Sequence, residues 1–173
     1  EFEKWWGGHV DLNGEEIQWI VDQLFVGNRL ATAEIVTSAG DRIDLRNIRS
    51  PIVCFCSKGD NITPPQQALG WIVDLYGKDE DVKACGQTII YAVHESVGHL
   101  GIFVSGAVAK KEHAQIVSVL KSIEALPPGL YGMQIQTIES KDGEKSYEVS
   151  FIERRLEDVV AKLNRFERRD EKA

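Results

Sequence analysis

The stretch Cys54-Phe55-Cys56-Ser57-Lys58-Gly59-Asp60-Asn61-Ile62-Thr63-Pro64-Pro65 decides how the rest of the chain is read. It ends an apolar run, Ile52 to Cys56, breaks into a carboxylate, and then meets two prolines. An apolar run without alternation suits a strand buried on both faces, as in a parallel sheet. Pro64 and Pro65 suit the first turn of a helix, where a missing N–H leaves no bond unmade. Ala68, Leu69, Ile72, Val73 and Leu75 continue at helical spacing to Tyr76, and Gly77 stops the pattern.

Downstream the alternation repeats. An acidic insertion, Lys78 to Asp81, precedes a second apolar strand, Thr88 to Val93, and a loop from His94 to Gly101. Val108, Ile116, Val117, Leu120 and Ile123 mark an amphipathic helix from about Ala107 to Leu126, ended by Pro127-Pro128-Gly129. Strand, helix, strand, helix implies an α/β fold with parallel strands joined by right-handed crossovers. After the prolines, Met133 to Ile138 and Tyr147 to Ile152 flank Lys141-Asp142-Gly143-Glu144, where Asp-Gly signals a hairpin. Leu156, Val159, Val160 and Leu163 mark a last helix, and Arg165 to Ala173 reads as a solvated tail.

Upstream, Asn13-Gly14-Glu15-Glu16 reads as a helix start, followed by Ile17, Ile20, Val21, Leu24 and Phe25 at helical spacing. Glu34 to Thr37 and Arg42 to Leu45 flank a short turn and read as a hairpin. The chain opens without Met or a basic leader, with Phe2, Trp5 and Trp6, so a longer parent polypeptide is expected.

Composition narrows the function. The 173 residues are 43% hydrophobic and 27% charged, the values of an ordinary globular domain. A net charge of −7 repels polyanions, which excludes nucleic acid as an expected partner. Apolar runs such as Ile89 to Val93 are too short for a membrane span. Three cysteines, an odd number, point to a reducing cytoplasm, with Cys54 and Cys56 as small core hydrophobes on one strand face. Four scattered histidines make no metal-ligand spacing, and neither a metal nor a cofactor is expected.

Two strand ends carry the chemistry: Asp60 follows the first and His99 the second. Open parallel sheets bind ligands beyond the carboxyl ends of their strands. A carboxylate and an imidazole on adjacent strand ends form the orienting half of a nucleophile–His–Asp relay, and acid before base is the chain order of α/β-hydrolases. The plainer alternatives are that Asp60 caps the helix at Pro64 and that His99 is a polar loop residue. His94, also after the strand, is the rival base, while His9 and His113 read as surface or interface residues. No Gly-x-Ser-x-Gly or Gly-x-Cys-x-Gly elbow occurs in the 173 residues. Ser96 and Ser105 lack the strand-to-helix context, and Cys54 and Cys56 lie inside a strand. The nucleophile and oxyanion hole are therefore expected on an upstream part, and the chain alone is expected to be inactive.

The order Arg42-Ile43-Asp44-Leu45, Ile48-Arg49-Ser50-Pro51, Gly59-Asp60-Asn61-Ile62-Thr63-Pro64 and Gly98-His99-Leu100-Gly101 resembles the C-terminal half of the polyhydroxyalkanoate synthase catalytic domain. There the corresponding motifs read Val-Asp-Leu, Ile-x-x-Pro, Asp-His-Ile-x-Pro and Gly-His-Ile. The resemblance covers roughly Asn28 to Gly101. A closer likeness, over most of the chain, is to bacterial proteins of unknown function related to those synthases, through Gly59 to Ala68. Asn61 departs from the synthase His, and the acid-to-base spacing is stretched near Lys78 to Lys83.

The resemblance implies the C-terminal portion of an α/β-hydrolase-like sheet, with Asp60 as triad acid and His99 as triad base. Residues 1–30 then end a lid-like segment, 31–126 form the C-terminal half of the core, and 127–173 add a hairpin and a helix. The expected function is one section of an acyl hydrolase or acyltransferase acting on a small acyl ester or acyl-CoA. The alternative is a non-catalytic interaction or pseudo-enzyme module. A sheet with its early strands elsewhere leaves an open edge beside Ile52 to Cys56. The expected partner is thus the upstream part of the same protein or a second copy, with Trp5, Trp6 and Trp19 in contact.

Overall fold

A computed structural model describes residues 4, 7–8, 10–140, 142 and 144–164. Expectations for Phe2, Trp5, Trp6, His9, Lys141, Gly143 and the tail from Arg165 lie outside the described residues, as does the side chain of Leu163. The chain divides into two compact units, Glu1–Leu45 and Arg46–Ala173.

In the first unit, helix α1 (Gly14–Ile20) begins at Asn13, whose Oδ1 accepts from Glu16 N at 2.8 Å. Glu16 answers by accepting from Asn13 N at 2.9 Å, so two otherwise orphaned donors are satisfied reciprocally. The helix widens into a π turn over Val21–Phe25. The short hairpin forms as one bridge, Val36 with Arg42, closed by Thr37 N donating to Asp41 O at 2.9 Å. Ile17, Trp19 and Phe25 remain exposed.

The second unit is a sheet with helices on both faces. Strands β1 (Ile52–Ser57), β2 (Thr88–His94), β3 (Gly129–Glu139) and β4 (Lys145–Arg154) lie in sequence order. β1 to β3 are parallel and β4 is antiparallel to β3. β1 pairs in register with β2 from Ile52 opposite Ile89 to Ser57 opposite His94, which brings the two strand ends level. β1 lies at one edge of this sheet, paired only with β2 among the described residues.

Side-chain alternation sorts the core. Cys54, Cys56, Ile89, Tyr91 and Leu130 face helix α2 (Pro65–Leu75), helix α3 (Asp79–Ala84) and the C-terminal helix α8 (Leu156–Asn164), through Leu69, Ile72, Val82 and Val159. Burial pushes the Cys54 thiol pKa up, which keeps the group a neutral hydrophobe. Val53, Phe55, Ile90, Ala92 and Met133 face the other way, against Ile116, Val119 and Ile123. Those three lie along a broken helical stretch of α4 (Gly101–Val104), α5 (Gly106–Val108), a π turn (Ala109–His113), α6 (Ala114–Ser118) and α7 (Leu120–Glu124). His113 is half-buried there, its ring 5.9 Å from that of Phe55 in an edge contact, rather than a surface residue.

The handedness departs from expectation. The steps β1 to β2 and β2 to β3 cross the sheet in the same direction, yet their helices cover opposite faces. Two such steps have opposite hands, so only one crossover is right-handed. The reason is packing: α2, α3 and α8 already occupy the first face, and the apolar side of residues 114–124 finds its partner on the second.

Candidate active site

Level strand ends place two loops side by side, Lys58–Thr63 after β1 and Glu95–Leu100 after β2. Ser57 joins them by donating from Oγ to Val97 O at 2.6 Å while accepting from Gly59 N at 3.1 Å. Gly59 passes so close to the backbone of Ser96 that an added Cβ would collide with its carbonyl. Only glycine allows the loops to approach this far. Lys58 Nζ reaches Glu95 Oε2 at 2.6 Å across the outside, an exposed pair worth little by itself.

Asp60 is buried at the bottom of this junction, 2% exposed. Its Oδ1 accepts from the backbone N–H groups of Ile62 and Thr63, both at 2.9 Å, and its Oδ2 accepts from the Thr63 hydroxyl at 2.8 Å. Burial alone would raise its pKa. The Thr63 N–H, the His99 ring N–H and the remaining donors together outweigh that and hold the carboxyl well below the usual carboxylate range. Helix α2 has Pro64 as N-cap and no side-chain capping bond, so Asp60 shapes the turn before the helix without capping it.

His99 comes from the neighbouring loop. Its Nδ1 lies 2.9 Å from Asp60 Oδ2, 3.2 Å from Asp60 Oδ1 and 3.1 Å from Thr63 Oγ1. An ionised carboxylate only accepts, so Nδ1 carries the proton and Nε2 the lone pair. Among the described residues Nε2 makes no hydrogen bond, and the side chain is 28% exposed. The ring also meets Phe103 edge-on at 6.2 Å. An imidazole held this way keeps one ring nitrogen on the carboxylate and leaves the other without a hydrogen bond among the described residues.

The rival base is used differently. His94 Nδ1 accepts from the backbone N–H groups of Ser96 and Val97, both at 3.1 Å, and so folds the loop that delivers His99. Sequence reading missed Thr63 and Gly59. A hydroxyl three residues after an Asp is a recognisable turn signal. The glycine's role needs both loops in view.

One protein family and three curated proteins are similar to this chain. A family profile described as a protein of unknown function, DUF3141, matches residues 1–173. A Rhizobium meliloti protein described as "Uncharacterized protein in ackA 5'region" is 62% identical over 137 residues, 79% of this chain and 19% of that protein. The poly(3-hydroxyalkanoate) polymerase subunit PhaC of Haloarcula marismortui is 27% identical over 105 residues, 61% of this chain and 20% of the subunit. That of Haloferax mediterranei is 23% identical over 103 residues, 60% of this chain and 19% of the subunit. The chain thus spans about a fifth of the length of the curated relatives it matches. No solved structure matches it.

Proposed function

The chain belongs to the DUF3141 family, and we propose that it is the acid–base section of an α/β-hydrolase-type acyl hydrolase or acyltransferase within a longer protein. The observation that carries the reading is the 2.9 Å contact between Asp60 Oδ2 and His99 Nδ1 at the ends of two adjacent parallel strands. The similarity to the two archaeal polymerase subunits supports it.

In this reading a hydroxyl or thiol supplied from outside these residues gives its proton to His99 Nε2 as it attacks an acyl carbonyl. Asp60 holds the ring in the tautomer that leaves Nε2 free and stabilises the imidazolium that forms. The same proton then passes to the departing alcohol or thiol. The Asn61 departure, at the position after the acid, leaves the acyl substrate open and polymer formation outside the proposal.

The test is hydrolysis of p-nitrophenyl and acyl-CoA esters by the whole protein that carries this chain. Turnover is expected there, and His99→Ala should lower it by several orders of magnitude with melting temperature preserved. Turnover unaffected by His99→Ala, or absent with every ester class, would favour a binding module built on the same half-fold.

A further inference from the structure

The loops after β1 and β2 are tied by the same device. Asp60 Oδ1 accepts from the N–H groups two and three residues on, those of Ile62 and Thr63, at 2.9 Å. His94 Nδ1 likewise accepts from Ser96 and Val97, both at 3.1 Å. The second knot leads into His99, and the first loop rests against it. Ser57 Oγ donates to Val97 O at 2.6 Å, and Gly59 abuts the Ser96 carbonyl. The two acceptors differ in one respect. A carboxylate held well below its usual range stays an acceptor in mild acid, whereas an imidazole ordinarily titrates between about pH 5 and 8.

Protonation reverses the second knot. A neutral imidazole that accepts at Nδ1 carries its hydrogen on Nε2, while an imidazolium donates from both nitrogens. The new Nδ1–H would point at two N–H donors, and two bonds become a repulsive contact. On the other side of the ring, Nε2 is 3.8 Å from Glu112 Oε1, on a carboxylate whose side chain is 8% exposed. A negative charge there favours a proton on Nε2, and with it both the Nε2–H tautomer and the imidazolium. Lys111 Nζ, 3.7 Å from the same oxygen, opposes the second effect. The other charged groups nearby are Glu95, paired with Lys58 Nζ at 2.6 Å, and Arg154 of β4, which lines one cavity with His94. His113, in the π turn with Glu112, has its ring against Phe55. His99 does not share the reversal, because its ring still donates from Nδ1 to Asp60 when protonated.

We propose that His94 is a proton switch that positions His99: neutral, it holds the Glu95–Leu100 loop closed, and protonated, with Glu112 as counter-ion, it lets the loop go. The inference rests on the reading of His99 as base for its effect on turnover, while the knot itself is observable without a substrate. The remaining fastenings of the loop use groups that do not titrate between pH 5 and 8. They are the Ser57 hydroxyl, the close approach of Gly59, and the Lys58 N–H that donates to His94 O at 2.9 Å. Acid therefore loosens the loop at the Ser96 and Val97 amides without tearing it from β1.

Amide hydrogen exchange of the whole protein between about pH 5 and 8, corrected for intrinsic rates, tests this. Protection at Ser96 and Val97 should fall about tenfold or more toward acid, the scale of two ordinary hydrogen bonds, while Ile89 to Val93 keep theirs. His94→Asn places a carbonyl where Nδ1 stood, as Asp60 does in the first loop, and should retain protection at both ends of the range. His94→Ala should lose it at both. Glu112→Gln should move the midpoint toward acid and Lys111→Met toward alkali. Melting curves verify each variant, and if His94→Ala fails to fold, the parent protein and His94→Asn decide. Where esters turn over, kcat of the parent should fall in acid with the slope of two protonations and that of His94→Asn with the slope of one. Alkaline kcat should be about tenfold lower in His94→Ala and restored in His94→Asn. Protection flat with pH in the parent, equally pH-dependent in His94→Asn, or indifferent to Glu112→Gln overturns the proposal. Exchange as expected without any ester turnover would sink the hydrolase reading and leave the switch standing.

Discussion

Asp60 and His99, 39 residues apart in sequence, meet at 2.9 Å because β1 and β2 end in register at Ser57 and His94. The contact needs both this strand register and the close packing of the two loops at Gly59 and Ser96. It follows that changes to the loops which preserve register should tune the pair, while changes to the pair itself should leave the fold largely intact.

The Asp60 carboxylate sets the His99 tautomer, and an amide in its place should reverse it. Asp60→Asn keeps an acceptor for the Ile62 and Thr63 N–H groups but lets the amide donate to Nδ1, which displaces the ring proton to Nε2. In the whole protein, ester turnover should fall by up to about 10⁴ with KM little changed. His94→Ala, which frees two loop N–H groups and leaves the Asp60–His99 contact in place, should lower turnover by far less. Steady-state kinetics of the two variants measures this directly, and a larger loss from His94→Ala would assign the base to His94.

Acid should find the same residue. Asp60 has a folded pKa below its unfolded value, so its ionised form contributes stability above about pH 4, and that contribution is lost as pH falls toward the folded value. Asp60→Asn should therefore destabilise the protein near neutrality by about 1–3 kcal/mol. The gap from the parent protein should narrow below about pH 4. Urea midpoints at neutral and acid pH give the comparison; a gap that is constant with pH would mean the carboxylate contributes no proton-linked stability.

Thr63 should act as a positioning residue. Its hydroxyl reaches both Asp60 Oδ2 at 2.8 Å and His99 Nδ1 at 3.1 Å, so it holds the carboxylate in the plane the imidazole needs. Thr63→Val should lower kcat by roughly tenfold and shift the acid limb of the pH–rate profile, whereas Thr63→Ser should restore both. Equal effects from the two substitutions would assign Thr63 a packing role only.

Gly59 and Gly70 make a matched pair. Gly59→Ala drives a methyl into the Ser96 carbonyl and should cost about 2 kcal/mol or more while separating the loops that carry the acid and the base. Gly70 lies inside α2 with open space around it, so Gly70→Ala should stabilise by about 0.5–1 kcal/mol. Thermal melts of both variants, with turnover of the first, provide the check.

Much of the fold was legible from local pattern. Pro64 and Pro65 mark the start of α2, the Ile52 to Cys56 run marks β1, and the Asn13–Glu16 pair marks α1, because each depends on backbone and neighbours within a turn or two. Asp60 and His99 could be singled out for the same reason, as polar residues where apolar runs end.

What only the tertiary structure decided involves partners far apart in the chain. The helices of residues 114–124 go to the face that α2 and α8 leave uncovered, against the expected crossover hand, since amphipathicity specifies that a side is buried but not against what. Glu112 stands 3.8 Å from His94 Nε2 because the π turn of residues 109–113 packs beside the end of β2, a pairing that no local pattern specifies. The bonds that shape the Asp60 turn are local and visible in sequence. The bond from this turn to His99 runs to a loop 39 residues away, and strand register brings the two loops level.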